Sequence, residues 1–409
     1  MSIFLRMGLL MHSRNSRSLI VLSVLLFLIL KQCSPGIHQS AMFLTEEQVI
    51  GSQLAAQPEL IWKHRLASPV KDIFAVNGQC LLLNTFRGEL YLLALQSGKR
   101  TGKIWKPYRR PADLLFVDLN NNQIYMIANR DNNFIHYNLK SAQIESKFKI
   151  KNLLGSAVIH HDTVTARQSA KRIIQFQLNN GTVIRELQLP EQITWGICQY
   201  RDQFLLYTTD GMLRFFDRNL IPAGTMQLPL SITPELLIIG NYCYGVDSRG
   251  KFLGIDLISR KIQLEKNFPA PIFITPHIQD EKATLGCGNG SVFQIDLKSG
   301  DEIWHYSGCG LINQPLFVVG QIILIPYAQG EIVALRQNSG EKLWEISIKN
   351  GISLCQPVPQ GLIVLDRLRN IYYYGFKCGK ILHPFHSDFI GCQNRRTATQ
   401  SKIPVSRNP

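Results

Sequence analysis

From about residue 58 onward the chain alternates short runs of β-branched and aromatic residues with Gly, Asn, Asp or Pro, which is the pattern of strands and tight turns. Four stretches show it most clearly. They are GELYLLALQSGKRTGKIW ending at Trp105, GKFLGIDLISRKIQL ending at Leu264, GSVFQIDLKSGDEIW ending at Trp304 and GEIVALRQNSGEKLW ending at Trp344. Each passes from a turn glycine through an alternating strand and a polar turn into a second strand that closes on a large apolar residue. Weaker copies end at Phe148, Leu187, Met226 and Leu382. The residues that open the eight copies are Gly88, Asn132, Arg172, Gly211, Gly250, Gly290, Gly330 and Asn370, with gaps of 44, 40, 39, 39, 40, 40 and 40. Two further apolar runs precede each opener, such as QPLFVVG and QIILIPYAQG in the seventh copy. Four strands per repeat at this period predict an all-β, eight-bladed β-propeller of four-stranded antiparallel blades.

Runs such as IILI and LLIIG are apolar throughout, as expected for strands buried on both faces between neighbouring blades. Gly211, Gly250, Gly290 and Gly330 stand where a tight connection needs a positive φ. The closing tryptophans are expected to pack over a turn of the adjacent blade. A ring must also join its first and last blades or leave two bare edges. Two segments compete for that place: Pro58–Leu66, which carries Trp62 one repeat length before Trp105, and Gly379–Phe385. The first is favoured.

The N-terminus reads differently. A twelve-residue, almost wholly apolar run, Leu19–Leu30, follows Arg14 and Arg17. It is too short for a membrane span, which needs roughly 20 residues, and fits the core of an export signal. Its basic flank directs the remainder out of the cytoplasm. Cys33 follows where a lipoprotein carries its lipidated cysteine, although Lys31 and Gln32 are not the small residues its signal peptidase prefers. Lipidation, an uncleaved anchor and ordinary cleavage all stay open. The division expected is residues 1–33 as signal or anchor, 34–57 as a tether, 58–387 as the propeller and 388–409 as a polar, basic, disordered tail.

Composition changes the picture in two respects. Lys and Arg number 44 against 29 Asp and Glu, a formal charge of +15. The plain reading is a solvated, mildly basic surface, and the alternative is one that draws anionic lipid, lipopolysaccharide or acidic proteins. Without an Arg-rich helix or an aromatic RNA-reading motif it does not point to nucleic acid. The nine cysteines include no CxxC pair, no adjacent pair and no CxxCH, which argues against zinc, thioredoxin-type and haem-attachment chemistry. Cys80 and Cys243 sit in apolar runs, where a buried free thiol is the expectation.

The repeats resemble those of the pyrroloquinoline-quinone (PQQ) propeller family. Gly290, Asp296, Ser299, Gly300 and Trp304 match the family pattern in one copy. Gly330, Ala334, Ser339, Gly340 and Trp344 match it in a second, and Gly88, Ala94, Ser97, Gly98 and Trp105 in a third, with four extra residues before the tryptophan. Two branches follow from the resemblance. The quinoprotein dehydrogenases hold PQQ and calcium on the ring axis, often against a disulfide of adjacent cysteines. This chain has no such cysteines and no acidic insertion to supply the 6–8 oxygens calcium prefers. The other branch is the non-catalytic BamB-type lipoprotein of outer-membrane β-barrel assembly. It shares the export signal, candidate lipidated cysteine, tether and compact ring. That resemblance implies a monomeric protein-binding scaffold of the cell envelope, attached to the membrane through its N-terminus. It implies no catalytic, cofactor-binding or metal residue, with a barrel-assembly subunit as the partner. The alternatives are a PQQ- and calcium-dependent dehydrogenase or a propeller for another envelope partner.

Other constellations read as structure. His160–His161–Asp162 and the set His383, His386 and Asp388 fit polar turns, and GCGNG (Gly286–Gly290) falls where the repeat needs one. In the run Tyr372–Tyr374 two rings share one blade face. The chain has no GxSxG, HExxH, Walker loop or GxGxxG after a strand.

Overall fold

The computed structural model describes residues 57–376, apart from 77–78, 106–112, 119–122, 129–131, 139–140, 142, 195, 231–235 and 359–360. The apolar run at 19–30, Cys33, Cys378, Cys392, the competing closing strand at 379–385, His383, His386 and the basic tail lie outside the described residues. No helix among the described residues is long and apolar enough to cross a membrane.

The chain forms eight four-stranded antiparallel sheets. Seven are built from consecutive strands, spanning 70–105, 113–149, 154–188, 198–227, 237–267, 277–307 and 317–347, and are numbered here as blades 1 to 7. Blade 8 has Ile352–Val358 inside, then Gly361–Asp366 and Asn370–Gly375, and takes its outer strand, Glu59–Arg65, from the other end of the sequence. Glu59 pairs with Gly375 and Arg65 with Asn370. The ring is therefore closed by the Trp62 segment.

The core lies between blades rather than within them. Among the described residues eight apolar clusters are present, one at each junction, including the one between blades 8 and 1. The second strand of blade 8 shows why its sequence has no polar face. Leu362 and Val364 join the cluster with blade 7, whereas Ile363 and Leu365 join the one with blade 1. Side chains alternate across a strand, so a strand covered on both sides must be apolar at every position. Each such fully buried Leu or Ile contributes about 1.5–3 kcal/mol. Outer strands reverse the pattern, and Val183–Gln188 is exposed along almost its whole length.

Cys198, Cys243, Cys287 and Cys355 are buried, and Cys309 is exposed. Tyr372 and Tyr374 stack at 6.3 Å on the blade 7 side, with Tyr373 on the blade 1 side.

A register feature recurs where the outer strand meets the third. Trp304 lies opposite Gln294, and the next pair is Ile295 with Glu302, so Ile303 is an inserted bulge residue. The same shift places Trp344 opposite Ala334 and Trp62 opposite Tyr373. The bulge tips the large side chain across the gap to the neighbouring blade and turns the inserted residue outward. Ile61, Ile184 and Ile303 are exposed for that reason.

The register also corrects the sequence reading of the weaker copies. Their positions equivalent to Trp304 are held by Ser146, Arg185 and Gly224, opposite His136, Gln175 and Phe215, and not by Phe148, Leu187 or Met226. Leu264, opposite Gly254, does stand there. In blade 1 the extra residues are taken up within the outer strand, so Thr101 faces Leu92 and Trp105 is carried on to Leu90. Matching the copies by their last large residue fails wherever the strand continues past the bulge.

Candidate interaction surface

In an antiparallel blade, the turn between second and third strands lies at the same end as the crossing from one blade to the next. The described turns of this kind and the described crossings therefore share one face of the ring, and the described third-to-outer turns lie on the other.

On the second of these faces the sequence-selected residues form a repeated clasp. Gly98, Gly300 and Gly340 sit in the third-to-outer turns with positive φ. A Cβ added at Gly340 would lie 2.5 Å from the Trp304 ring of the preceding blade, and one at Gly98 would lie 2.8 Å from the Trp62 ring. Trp304 Nε1 donates to the Gln337 carbonyl at 2.9 Å, and Trp62 Nε1 donates to the Leu95 carbonyl at 2.8 Å. Blades without the tryptophan reach the equivalent carbonyl by other means. Ser146 Oγ donates to Leu178 O at 3.4 Å, and Gln175 Nε2 to Arg218 O at 2.8 Å. Between blades 4 and 5 the direction reverses. Gly224 leaves the slot empty, and Arg260 of blade 5 enters it, donating to Ala223 O at 2.9 Å with its guanidinium 4.5 Å from the Phe215 ring centroid. Trp344 packs in the cluster between blades 7 and 8.

On the first face, Gly88, Gly211, Gly250, Gly290 and Gly330 close the turns, also with positive φ. A cleft of about 550 Å³ opens there between blades 4 and 5, with Thr194, Asp210, Gln227, Asp247, Arg249 and Lys251 on its walls. Most of its charges are already engaged. Burial alone would raise the Asp210 carboxyl, but hydrogen bonds from Thr208, Met212 N and Arg214 outweigh it and hold the group below the usual range. Asp247 accepts from Arg249 N and Lys251 N in its own turn, and Lys251 pairs with Glu265 at 2.6 Å. Arg249 is exposed and has no ion pair among the described residues.

The chemistry this face can support is limited. Burial pushes the Cys287 thiol up to about 12, so it is not a thiolate near neutral pH. Among the described residues no group of three or more His, Cys, Asp or Glu side chains could hold a metal ion. Asp210, Asp247 and Asp366 belong to three different blades and accept hydrogen bonds within their own turns. The described donors of this face do not fit calcium with a quinone. His160 and His161, edge to face at 4.2 Å, sit in a hairpin of blade 3 on the opposite face.

The family model described as outer membrane protein assembly factor BamB matches residues 232–354, from the approach to blade 5 into blade 8. Over that stretch the propeller is similar to the repeats of this family. The crystal structure of BamB from Moraxella catarrhalis superposes with a TM-score of 0.61 at 13% identity, covering 78% of this chain and 100% of that one. The computationally designed Ika8 protein superposes with a TM-score of 0.63 at 12% identity and the same coverage, 78% and 100%. A designed protein matches as well as a natural one, so structural likeness speaks for the fold alone. No curated protein matches the sequence. The matched stretch contains the two copies with the fullest sequence pattern, those of Trp304 and Trp344.

Proposed function

We propose that the protein is a non-catalytic scaffold of the cell envelope that binds other proteins through its propeller, in the manner of a component of outer-membrane β-barrel assembly. The observation that carries this reading is the family-model match over residues 232–354 within a complete eight-bladed ring. In this reading residues 1–33 export the chain and hold it at the membrane, through Cys33 lipidation or an uncleaved anchor. Residues 34–57 then tether the ring, and 388–409 trail from it. The ring works as a monomer without cofactor, presenting turns of divergent sequence on a scaffold closed by hydrogen bonds and eight apolar junctions.

The test is mild crosslinking in native membranes followed by capture of the full chain. Recovery of a β-barrel assembly subunit supports the proposal. Capture of a different envelope protein would keep the scaffold and discard the assembly role. A calcium- and PQQ-dependent rise in melting temperature, with dye-linked alcohol oxidation, would overturn the non-catalytic reading.

A further inference from the structure

Two neighbouring blades depart from the pattern of the turn face. In blades 1, 4, 5, 6, 7 and 8 the turn between second and third strands spans four residues and is closed by a backbone hydrogen bond from its last residue to its first. In blades 4 to 7 the two residues at the tip are small or polar, Ser248–Arg249 and Ala328–Gln329 among them. In blade 1 they are Phe86–Arg87 and in blade 8 Arg367–Leu368, followed by Arg369. These two turns flank the closure of the ring and are held by the same short crossing. Phe86 N donates to Pro69 O at 3.0 Å, Arg369 Nη1 to Ala67 O at 3.0 Å, and Leu66 N to Arg369 O at 2.9 Å.

The side chains that these two turns carry are two large apolar groups and three guanidiniums. Phe86 is 53% exposed and Leu368 56%. Arg87 is exposed without an ion-pair partner among the described residues, and Arg367 donates only to the Ala328 carbonyl, at 2.7 Å. Two carboxylates lie nearby, fewer than the three guanidiniums. Asp366 is buried under its own turn, and Glu89 accepts from Ser68 Oγ at 2.9 Å. A guanidinium fork suits a carboxylate, and exposed aromatic and aliphatic knobs beside it are the usual anchors of a protein contact. The chain's own tail is basic at Arg395, Arg396 and Lys402, so charge repels it from this patch.

We propose that the patch over the closure seam, Phe86, Arg87, Arg367, Leu368 and Arg369, docks an extended segment of a partner protein whose carboxylates alternate with large apolar side chains. This rests on the scaffold reading only in taking the occupant to be a protein. The probe is a fluorescent peptide of alternating Glu and Leu, titrated by anisotropy against the full chain in detergent, with a Lys–Leu peptide as control. The Glu–Leu peptide is expected to bind and to weaken as salt rises. Arg87→Glu and Phe86→Ala, both at an exposed turn tip, should each reduce affinity about tenfold. Arg249→Glu, at the same tip position in blade 5 but preceded by Ser248 rather than by an apolar residue, should leave it unchanged. Equal loss with Arg249→Glu, no loss with Arg87→Glu, or equal binding of the Lys–Leu peptide would each overturn the proposal. So would Arg87-dependent binding to anionic phospholipid vesicles without peptide binding, or self-association abolished by Phe86→Ala. A native partner captured equally by the wild type and Arg87→Glu would remove this patch and leave the scaffold standing.

Discussion

Trp304 of blade 6 covers Gly340 of blade 7 and donates its indole N–H to Gln337 in the same turn, so one side chain joins two blades by packing and by a hydrogen bond. The ring is 8% exposed. Trp304→Ala should cost about 3–5 kcal/mol, the usual range for emptying a buried aromatic site. Gly340→Ala should cost about 1–3 kcal/mol, because a Cβ would meet the indole at a backbone φ of +69°. Removing the indole relieves the clash, so the double variant should be less destabilised than the two single costs added. Urea unfolding of the four proteins checks this, and strict additivity would deny the contact.

The Arg260–Gly224 pair performs the same joining task with the partners reversed. Arg260→Ala should lose about 1–2 kcal/mol, from one hydrogen bond to a carbonyl and one cation–π contact. Arg218→Ala, whose side chain is half exposed in an ion pair with Asp202, should change stability by less than about 1 kcal/mol. Thermal unfolding of both variants separates a blade clasp from an ordinary surface arginine.

How far the sequence reveals this molecule depends on where each signal is written. Blade number and strand order are legible because the second strands, such as Gly361–Asp366, are apolar on both faces and return at a constant interval. Trp62 identifies the closing strand because its indole occurs at the same bulge as Trp304. The clasp at Ser146, Gln175 and Arg260 is not legible. Its shared element is a backbone carbonyl, which any residue provides, and several unrelated donors reach it. Trp105 misleads for a related reason, since register is set by hydrogen bonds along the strand and not by the last aromatic. The seam patch is hidden as well. Phe86 and Leu368 lie far apart in sequence, and their turns come to one crossing only when the ring closes.

Closure itself can be tested by shortening the chain. A protein beginning at Gln57 retains the outer strand of blade 8 and Leu66 in the junction with blade 1. One beginning at Val70 loses both and exposes the edge of Asn370–Gly375. The first should unfold in one cooperative thermal transition. The second should melt much lower, with early exposure of blades 8 and 1, and should aggregate through the bare edge. Hydrogen exchange read on Ile363 and Leu365 gives the local answer, and equal protection in both proteins would deny the strand its closing role.

Asp366 makes the closing blade sensitive to acid. Its Oδ1 accepts from Leu368 N and Asn370 N, at 2.9 and 2.8 Å. Its Oδ2 accepts from Asn350, Asn370 and Tyr372, at 2.8, 2.6 and 3.0 Å. Burial alone would raise the carboxyl, but these donors outweigh it and hold it below the ordinary range. A carboxyl with a lowered folded value adds stability above its unfolded value, and that stability is lost as pH falls through the folded one. Asp366→Asn keeps the shape but replaces an acceptor oxygen with a donor among donors. It should cost about 2–3 kcal/mol at neutral pH, in line with charged hydrogen bonds at a buried site. The difference in melting temperature between wild type and variant should then narrow steadily below the normal titration range of aspartate. A gap that stays constant into strong acid would mean that the charge of Asp366 does not hold this turn.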